Sequence, residues 1–244
     1  MLPGAIVPDW PAPRRVRALF TTRAGGVSQG SYASLNLGDH VGDAPARVAE
    51  NRARLCAHLP AEPRWLTQVH GTVVAQVDER DFEPTADGAV ARAPDVVCAV
   101  LVADCLPVLL CDTDASVVAV AHAGWRGLAA GVVEQTVAAT ATDPARLLAW
   151  LGPAIGPDSF EVGDDVRDAF LARDAQAVFA FAPRDNGKWL ANMYLLSRQQ
   201  LAACGVRTVF GEPACTFSDP ARFFSFRRER VTGRMAACIW LQPG

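Results

Sequence analysis

Lysine is almost missing from this 244-residue chain: Lys188 is the only one, so Schiff-base chemistry would have to pass through that side chain alone. Histidine is nearly as scarce, the full set of four being His40, His58, His70 and His122. So few imidazoles cannot hold the several coppers of a multinuclear copper enzyme within one chain, and any metal site must be small. An excess of charge of one sign is also lacking. With 23 Lys plus Arg against 26 Asp plus Glu the net charge is −3, which leaves no basic footprint for nucleic acid. No apolar run is long enough to span a membrane, since the longest, residues 96–103, stops at Asp104. The N-terminal stretch MLPGAIVPDWPAPRRVRALF carries prolines where a signal peptide has its apolar region. Seven cysteines make an odd number and contain no C-x-x-C pair, which argues against a disulfide framework and against a finger-type zinc site. The expectation is a cytoplasmic protein with reduced thiols. Absent too are the H-x-E and P-C-x-x-C pairing of zinc deaminases, a Walker A loop and a G-x-G-x-x-G turn after a strand.

What is present is an apolar chain, 50% hydrophobic and 20% charged, long enough for one well-buried core. Strands are expected at residues 16–20, 65–77, 96–103, 106–111, 117–121, 149–151, 206–210 and 236–241, from alternation or short β-branched runs. Helices are expected at 45–58, 128–141, 164–173 and 192–204, with Asp164 or Asp165 and Asn192 as caps and Gly205 as a stop. Residues 21–43, TTRAGGVSQGSYASLNLGDHVGD, read as a long functional loop. The order mixes strands and helices without strict alternation. It predicts a mixed α/β (α+β) fold, one domain over residues 1–244, with central mixed sheets flanked by helices.

Three residues share one setting. His70 precedes a glycine, Cys105 follows Asp104 between two apolar strands, and His122 ends a strand before G-W-R-G and a helix. Ligands gather outside strand ends in such sheets. Two imidazoles and a thiolate would give zinc three protein ligands and an open fourth position. The same residues suit a cysteine nucleophile with His122 as base and Asp104 or Gln68 as orienting group. Taken singly, a cysteine in an apolar strand context is most often a small core residue. The HAGWRG turn offers backbone N–H groups and Arg126 to an anion, and Arg23 beside glycines is a second clamp of the same kind. Near the C-terminus, FFSFRRERVTGRM interleaves arginines and phenylalanines, and a strand with one basic face is the ordinary reading there.

Long stretches carry a resemblance: TRAGGVSQGSYASLNLGDHVGD, WLTQVHG, ADCLPVLL, AHAGWRGLAAGVVE, WLGPAIGP and CTFSDPARFFSFRRERVTGRMAACIWL. They resemble bacterial members of the multicopper polyphenol oxidase (laccase-like) family, also described as purine nucleoside phosphorylases. The resemblance implies a fold similar to that of cysteine-dependent deamidating toxins and a zinc site, with copper as an alternative, at His70, Cys105 and His122. It implies phosphorolysis of adenosine, inosine, guanosine and methylthioadenosine, with adenosine deamination, so that a purine nucleoside and phosphate are the expected partners. Oxidation of phenols and the editing of peptidoglycan precursors are further activities it implies. Arg23, Asn36, Gln68, Arg126, Ser225 and Arg227 are its implied pocket residues. His40 stays open between a pocket and a structural role. Asn192–Met193, Val102 and Glu229 depart from the usual residues, and none of them is a metal candidate.

Overall fold

The computed structural model describes residues 2–79, 81–82, 84–211 and 213–244. In chain order the strands are Val16–Phe20 (β1), Val74–Gln76 (β2), Gly88–Ala91 (β3), Cys98–Val102 (β4), Leu106–Asp112 (β5), Val118–Ala123 (β6), Leu147–Leu151 (β7), Glu161–Val162 (β8), Phe181–Pro183 (β9), Trp189–Ala191 (β10), Thr208–Phe210 (β11) and Met235–Leu241 (β12). The helices are Pro45–Cys56 (α1), Trp125–Ala130 (α2), Val132–Ala139 (α3), Asp164–Leu171 (α4), Met193–Ala203 (α5) and Phe226–Glu229 (α6).

Strands β4, β5, β6, β7 and β12 are buried at every residue. Two-sided burial is usually the mark of parallel sheets. Here it arises because two sheets lie face to face, each with its outer face covered as well. A six-stranded sheet runs β11-β7-β5-β6-β3-β2, antiparallel inside and parallel only at its outer pairs. The antiparallel sheet β1-β12-β4 packs on it. Between them Val100, Met235 and Ile239 meet Leu109, Val120 and Trp150. On the other face of the large sheet, Val108, Ala121 and Leu151 meet Val133 of α3, Phe170 of α4 and Leu201 of α5. The outer face of the small sheet, with Leu101 and Trp240, is covered by Leu35 and Leu37 of the long loop and Leu55 of α1. The fold is a mixed α/β sandwich of four layers, and a small sheet β8-β10-β9 stands beside it.

Several expectations change. The strand expected over residues 65–77 shrinks to β2, so His70 sits in irregular chain. Side chains there take the backbone groups a ladder would use: Gln68 exchanges two hydrogen bonds with the backbone of Leu101, and the Asp87 carboxylate accepts from the N–H groups of Val69, His70 and Gly71. The helix expected over 128–141 is two helices that start earlier, because Gly131 adopts a left-handed conformation (φ 106°). Helix α4 begins after Gly163 with no side-chain cap, so neither Asp164 nor Asp165 caps it. Asn192 does cap α5, accepting from Leu195 N–H at 3.0 Å. The basic segment near the C-terminus is not a strand: Ser225 accepts from Arg228 N–H and starts the short helix α6. Strands β3, β8, β9 and β10 carry no expectation from the sequence, being short or glycine- and alanine-containing. All seven cysteines are free thiols.

Candidate active site

Cys105 stands where the chain leaves one sheet for the other, since β4 belongs to the small sheet and β5 to the large one. Asp104 makes that crossing with φ 86°, a conformation Asp tolerates better than most residues. On the neighbouring strand His122 lies opposite Pro107, which brings its ring beside the start of β5. His70 reaches the same place from its loop, with φ 60°. The side-chain donor atoms of His70, Cys105 and His122 all lie within 4.8 Å of one another. Cys105 Sγ is 3.7 Å from His70 Nε2, and the two imidazole rings meet edge to face with centroids 4.8 Å apart. Gly124 makes this closeness possible: a Cβ there would stand 2.5 Å from His70 Cδ2 and 3.0 Å from Cys105 Sγ. The HAGW glycine is therefore needed for space beside the three donors.

The fully buried Asp87 sits beneath this group. Its Oδ1 lies 2.8 Å from His122 Nδ1 and accepts from His70 N–H at 2.9 Å, while Oδ2 accepts from Gly71 N–H at 2.6 Å and Val69 N–H at 3.1 Å. Burial opposes its charge, but the His122 hydrogen bond and the loop N–H groups outweigh that and hold the carboxyl below its usual range. An ionised Asp87 places the proton on His122 Nδ1 and leaves Nε2 for the site, the arrangement that metal-binding histidines use. Burial alone would raise the Cys105 thiol, yet the neighbouring His122 and His70 bring it down to about 6. Burial would likewise lower His122, but the Cys105 sulfur and Asp87 lift it to about 9. Thiolate and imidazolium thus stabilise each other at neutral pH. Two imidazoles and one thiolate, borderline-soft donors within reach of one centre, fit zinc and also suit copper. Three protein donors are one fewer than a closed structural zinc site would use.

The group opens into a cavity of about 480 Å³, the size of a small-molecule site. Trp125, Ile155, Phe160, Met193 and Phe226 supply apolar walls, and Arg126, Arg227, Arg230 and Arg234 supply charge. Asp104 lines it but is saturated: Oδ1 accepts from Thr216 Oγ1 at 2.6 Å, and Oδ2 accepts from Ser225 Oγ at 3.0 Å and Arg227 N–H at 2.7 Å. Its carbonyl also accepts from Ile155 N–H. Through its carboxylate and its carbonyl, Asp104 thereby ties the turn carrying Cys105 to three other segments.

Of the residues singled out from the sequence, Gln68, Arg126 and Arg227 line the cavity with the three donors, and so does His40. Arg23, Asn36 and Ser225 stand behind the wall. Arg23 donates to the carbonyls of Ala33 and Pro220, stacks on Phe224 and pairs with Glu229 at 3.6 Å. Asn36 accepts from the backbone N–H of Gly38 and Arg234. Ser225 caps α6 and holds Asp104. Sequence reasoning missed Asp87, Arg230 and Arg234. The glycine after Asp87, which opens β3, was the one available hint for it, and the i, i+3 spacing of Arg227 and Arg230 would have placed them together only on a helix.

Residues 17–242 match the family described as "Multi-copper polyphenol oxidoreductase laccase". The chain is 54% identical to the purine nucleoside phosphorylase PA4543 of Pseudomonas aeruginosa over 238 residues, covering 97% of this chain and 98% of that one. It is 53% identical to the purine nucleoside phosphorylase YfiH of Escherichia coli, with the same two shares covered. Among solved structures, NMB0706 of Neisseria meningitidis superposes with a TM-score of 0.93 at 49% identity, covering 98% of this chain and 99% of that one. YlmD of Geobacillus stearothermophilus superposes with a TM-score of 0.85 at 33% identity, over 96% and 94%. With this extent of match and these donors in place, the chain belongs to the multi-copper polyphenol oxidoreductase laccase family.

Proposed function

We propose that this protein is a zinc-dependent purine nucleoside phosphorylase that also deaminates adenosine. The observation that carries the proposal is the convergence of His70, Cys105 and His122 on the wall of a cavity with aromatic and guanidinium sides. The names of the relatives support the same reaction. Phosphorolysis joins a phosphate oxygen to C1′ of the sugar as the bond from C1′ to the purine nitrogen breaks and its electron pair leaves with the base. The cavity accommodates a nucleoside in volume. Trp125, Phe160 and Phe226 give the wall apolar aromatic surface for a purine, and guanidinium groups offer paired donors to phosphate. His70, Cys105 and His122 would hold the zinc ion, which would supply a Lewis acid beside the bound nucleoside. Asp87 fixes the His122 tautomer, and Gln68, spent on Leu101, holds the loop of His70 against β4. Adenosine, inosine, guanosine and methylthioadenosine share the purine and sugar such a cavity would grip. Copper is the alternative ion, but the four histidines, of which His58 lies exposed at the end of α1, fall short of a multinuclear copper set. A cytoplasmic setting is part of the proposal and fits the free thiols.

Protein purified without added metal should hold zinc near one equivalent and release free purine and sugar 1-phosphate from nucleoside only when phosphate is present. Cys105→Ala should lose both metal and turnover. Full activity in metal-stripped protein would overturn this reading.

A second reading has its own observation. Cys105, lowered to about 6 beside a His122 held by Asp87, has the arrangement of a cysteine nucleophile, base and orienting acid. An amide hydrolase editing peptidoglycan precursors would use it, and a chelator would then raise thiol labelling and activity together instead of abolishing activity.

A further inference from the structure

Nine arginines pair with a carboxylate among the described residues, such as Arg52 with Asp39, Arg173 with Glu134 and Arg222 with Asp219. Arg126, Arg227, Arg230 and Arg234 pair with no acidic side chain among the described residues, and all four line the one cavity. Against these four guanidinium groups the cavity lining sets only the carboxylate of Asp104, hydrogen-bonded to Thr216, Ser225 and Arg227 N–H, and the Cys105 sulfur. The guanidinium groups outnumber the negative ones, and an excess of positive charge in a site partly withdrawn from water is relieved by a bound anion.

Two of these arginines are held with particular care. Arg230 occupies the centre of a tight turn with φ 58° and ψ −54°, closed by a 2.6 Å hydrogen bond from Val231 N–H to the carbonyl of Glu229. That is the rare, strained form of the three-residue turn, and strain kept at a side chain facing a cavity points to a role for that side chain. Its guanidinium lies 5.7 Å from the centroid of Phe226. Arg234 approaches the same ring at 5.9 Å. One of its terminal nitrogens donates to the carbonyls of Thr232 and Gly233, which leaves the other free to serve a ligand. The long loop is shaped around it: Asn36 accepts from its backbone N–H, and a Cβ on Gly38 would stand 2.8 Å from its Cγ. Arg23, by contrast, is not among the lining residues, and its Nε and Nη1 serve Ala33, Pro220 and Glu229.

We propose that Arg230 and Arg234, flanking Phe226 and completed by Arg227, form the oxyanion subsite of the cavity, and that its ligand is a phosphate group. Phosphate as the attacking reagent rests on the phosphorylase reading; the subsite itself does not. Two sources carry this chemistry: inorganic phosphate, and the phosphate of a nucleoside monophosphate.

Calorimetric titration of the purified protein with inorganic phosphate, and separately with adenosine 5′-monophosphate, tests the assignment. Wild-type protein should bind inorganic phosphate saturably. Arg230→Ala and Arg234→Gln should each weaken that binding at least tenfold while metal content stays unchanged, and Arg234→Lys should recover part of it. Arg222→Ala, whose arginine pairs with Asp219 outside the cavity, should bind as wild type does. Arg230 is exposed, so its variant keeps the test open should the Arg234 variants fail to fold. Binding of the monophosphate alone, weakened by the same variants, would support the subsite and overturn the phosphorylase reading. Unaltered binding in both variants, or no binding of either compound by wild type, would overturn the subsite.

Discussion

Asp87 does more for the site than any residue that touches the cavity. Its two oxygens hold three consecutive backbone N–H groups, those of Val69, His70 and Gly71, and the Nδ1 side of His122. It therefore sets both the place of one histidine and the tautomer of the other. In Asp87→Asn the amide nitrogen would either face backbone donors or offer a proton to His122 Nδ1, moving the imidazole proton to Nε2. Loss of such a partner typically costs about 10- to 100-fold in metal affinity. We expect zinc affinity, measured by competition with a chromophoric chelator, to fall within that range for Asp87→Asn. An affinity equal to wild type would show that His122 needs no such partner. The motif residues His70, Cys105 and His122 were legible in the sequence because each stands at a glycine- or aspartate-marked break. Asp87 was not, because its role depends on a loop 16 to 18 residues earlier folding over it.

At the scale of elements, the breaks matter as much as the strands. Helices α2 and α3 look continuous in sequence but are separated by Gly131, whose φ of 106° puts it in the region L-residues avoid. A side chain there costs roughly 1–2 kcal/mol, and its Cβ would also stand 3.2 Å from the Arg173 guanidinium. Gly131→Ala should lower the stability to denaturant by about 1–2 kcal/mol, and an unchanged midpoint would show that the two helices can run on as one. The basic C-terminal segment shows why periodicity failed locally. Its interleaved phenylalanines and arginines read as a strand with one basic face, yet Ser225 starts a helix because its hydroxyl serves two ends, accepting from Arg228 N–H and donating to Asp104. The long loop 21–43 was recognisable by composition, but its work was not. Its leucines Leu35 and Leu37 close the outer core, and Asn36 between them holds Arg234.

For the whole molecule, metal and proton are linked. In the metal-free protein at neutral pH, Cys105 is already a thiolate, with its pKa lowered to about 6, and His122 carries a proton, with its pKa raised to about 9. Binding an ion must displace the His122 proton. Apparent zinc affinity should therefore rise about tenfold per pH unit between pH 7 and 9 and level off above it. A titration showing no dependence across that window would place the ion elsewhere. An ion that binds only the folded state stabilises it by about 4 kcal/mol at a thousandfold excess over its dissociation constant. The same titration should accordingly raise Tm more at pH 8 than at pH 7.

Local chemistry was sufficient to read the strands β1, β5, β6 and β12, the helices α1 and α5, and to single out His70, Cys105 and His122, which the structure brings together. Apolar runs, a proline at a helix start and scarce histidines act through neighbours in the chain or through simple counting. Only the tertiary structure decided that β4 and β5 part into different sheets at Asp104, and that Arg23 turns away from the cavity while Arg230 and Arg234 line it. It also put Asp87 under both histidines. These placements depend on which groups a buried carboxylate or guanidinium meets across the layers. Contacts of that kind, such as the 112 and 121 positions separating Asp104 from Thr216 and Ser225, leave no periodic trace in the sequence.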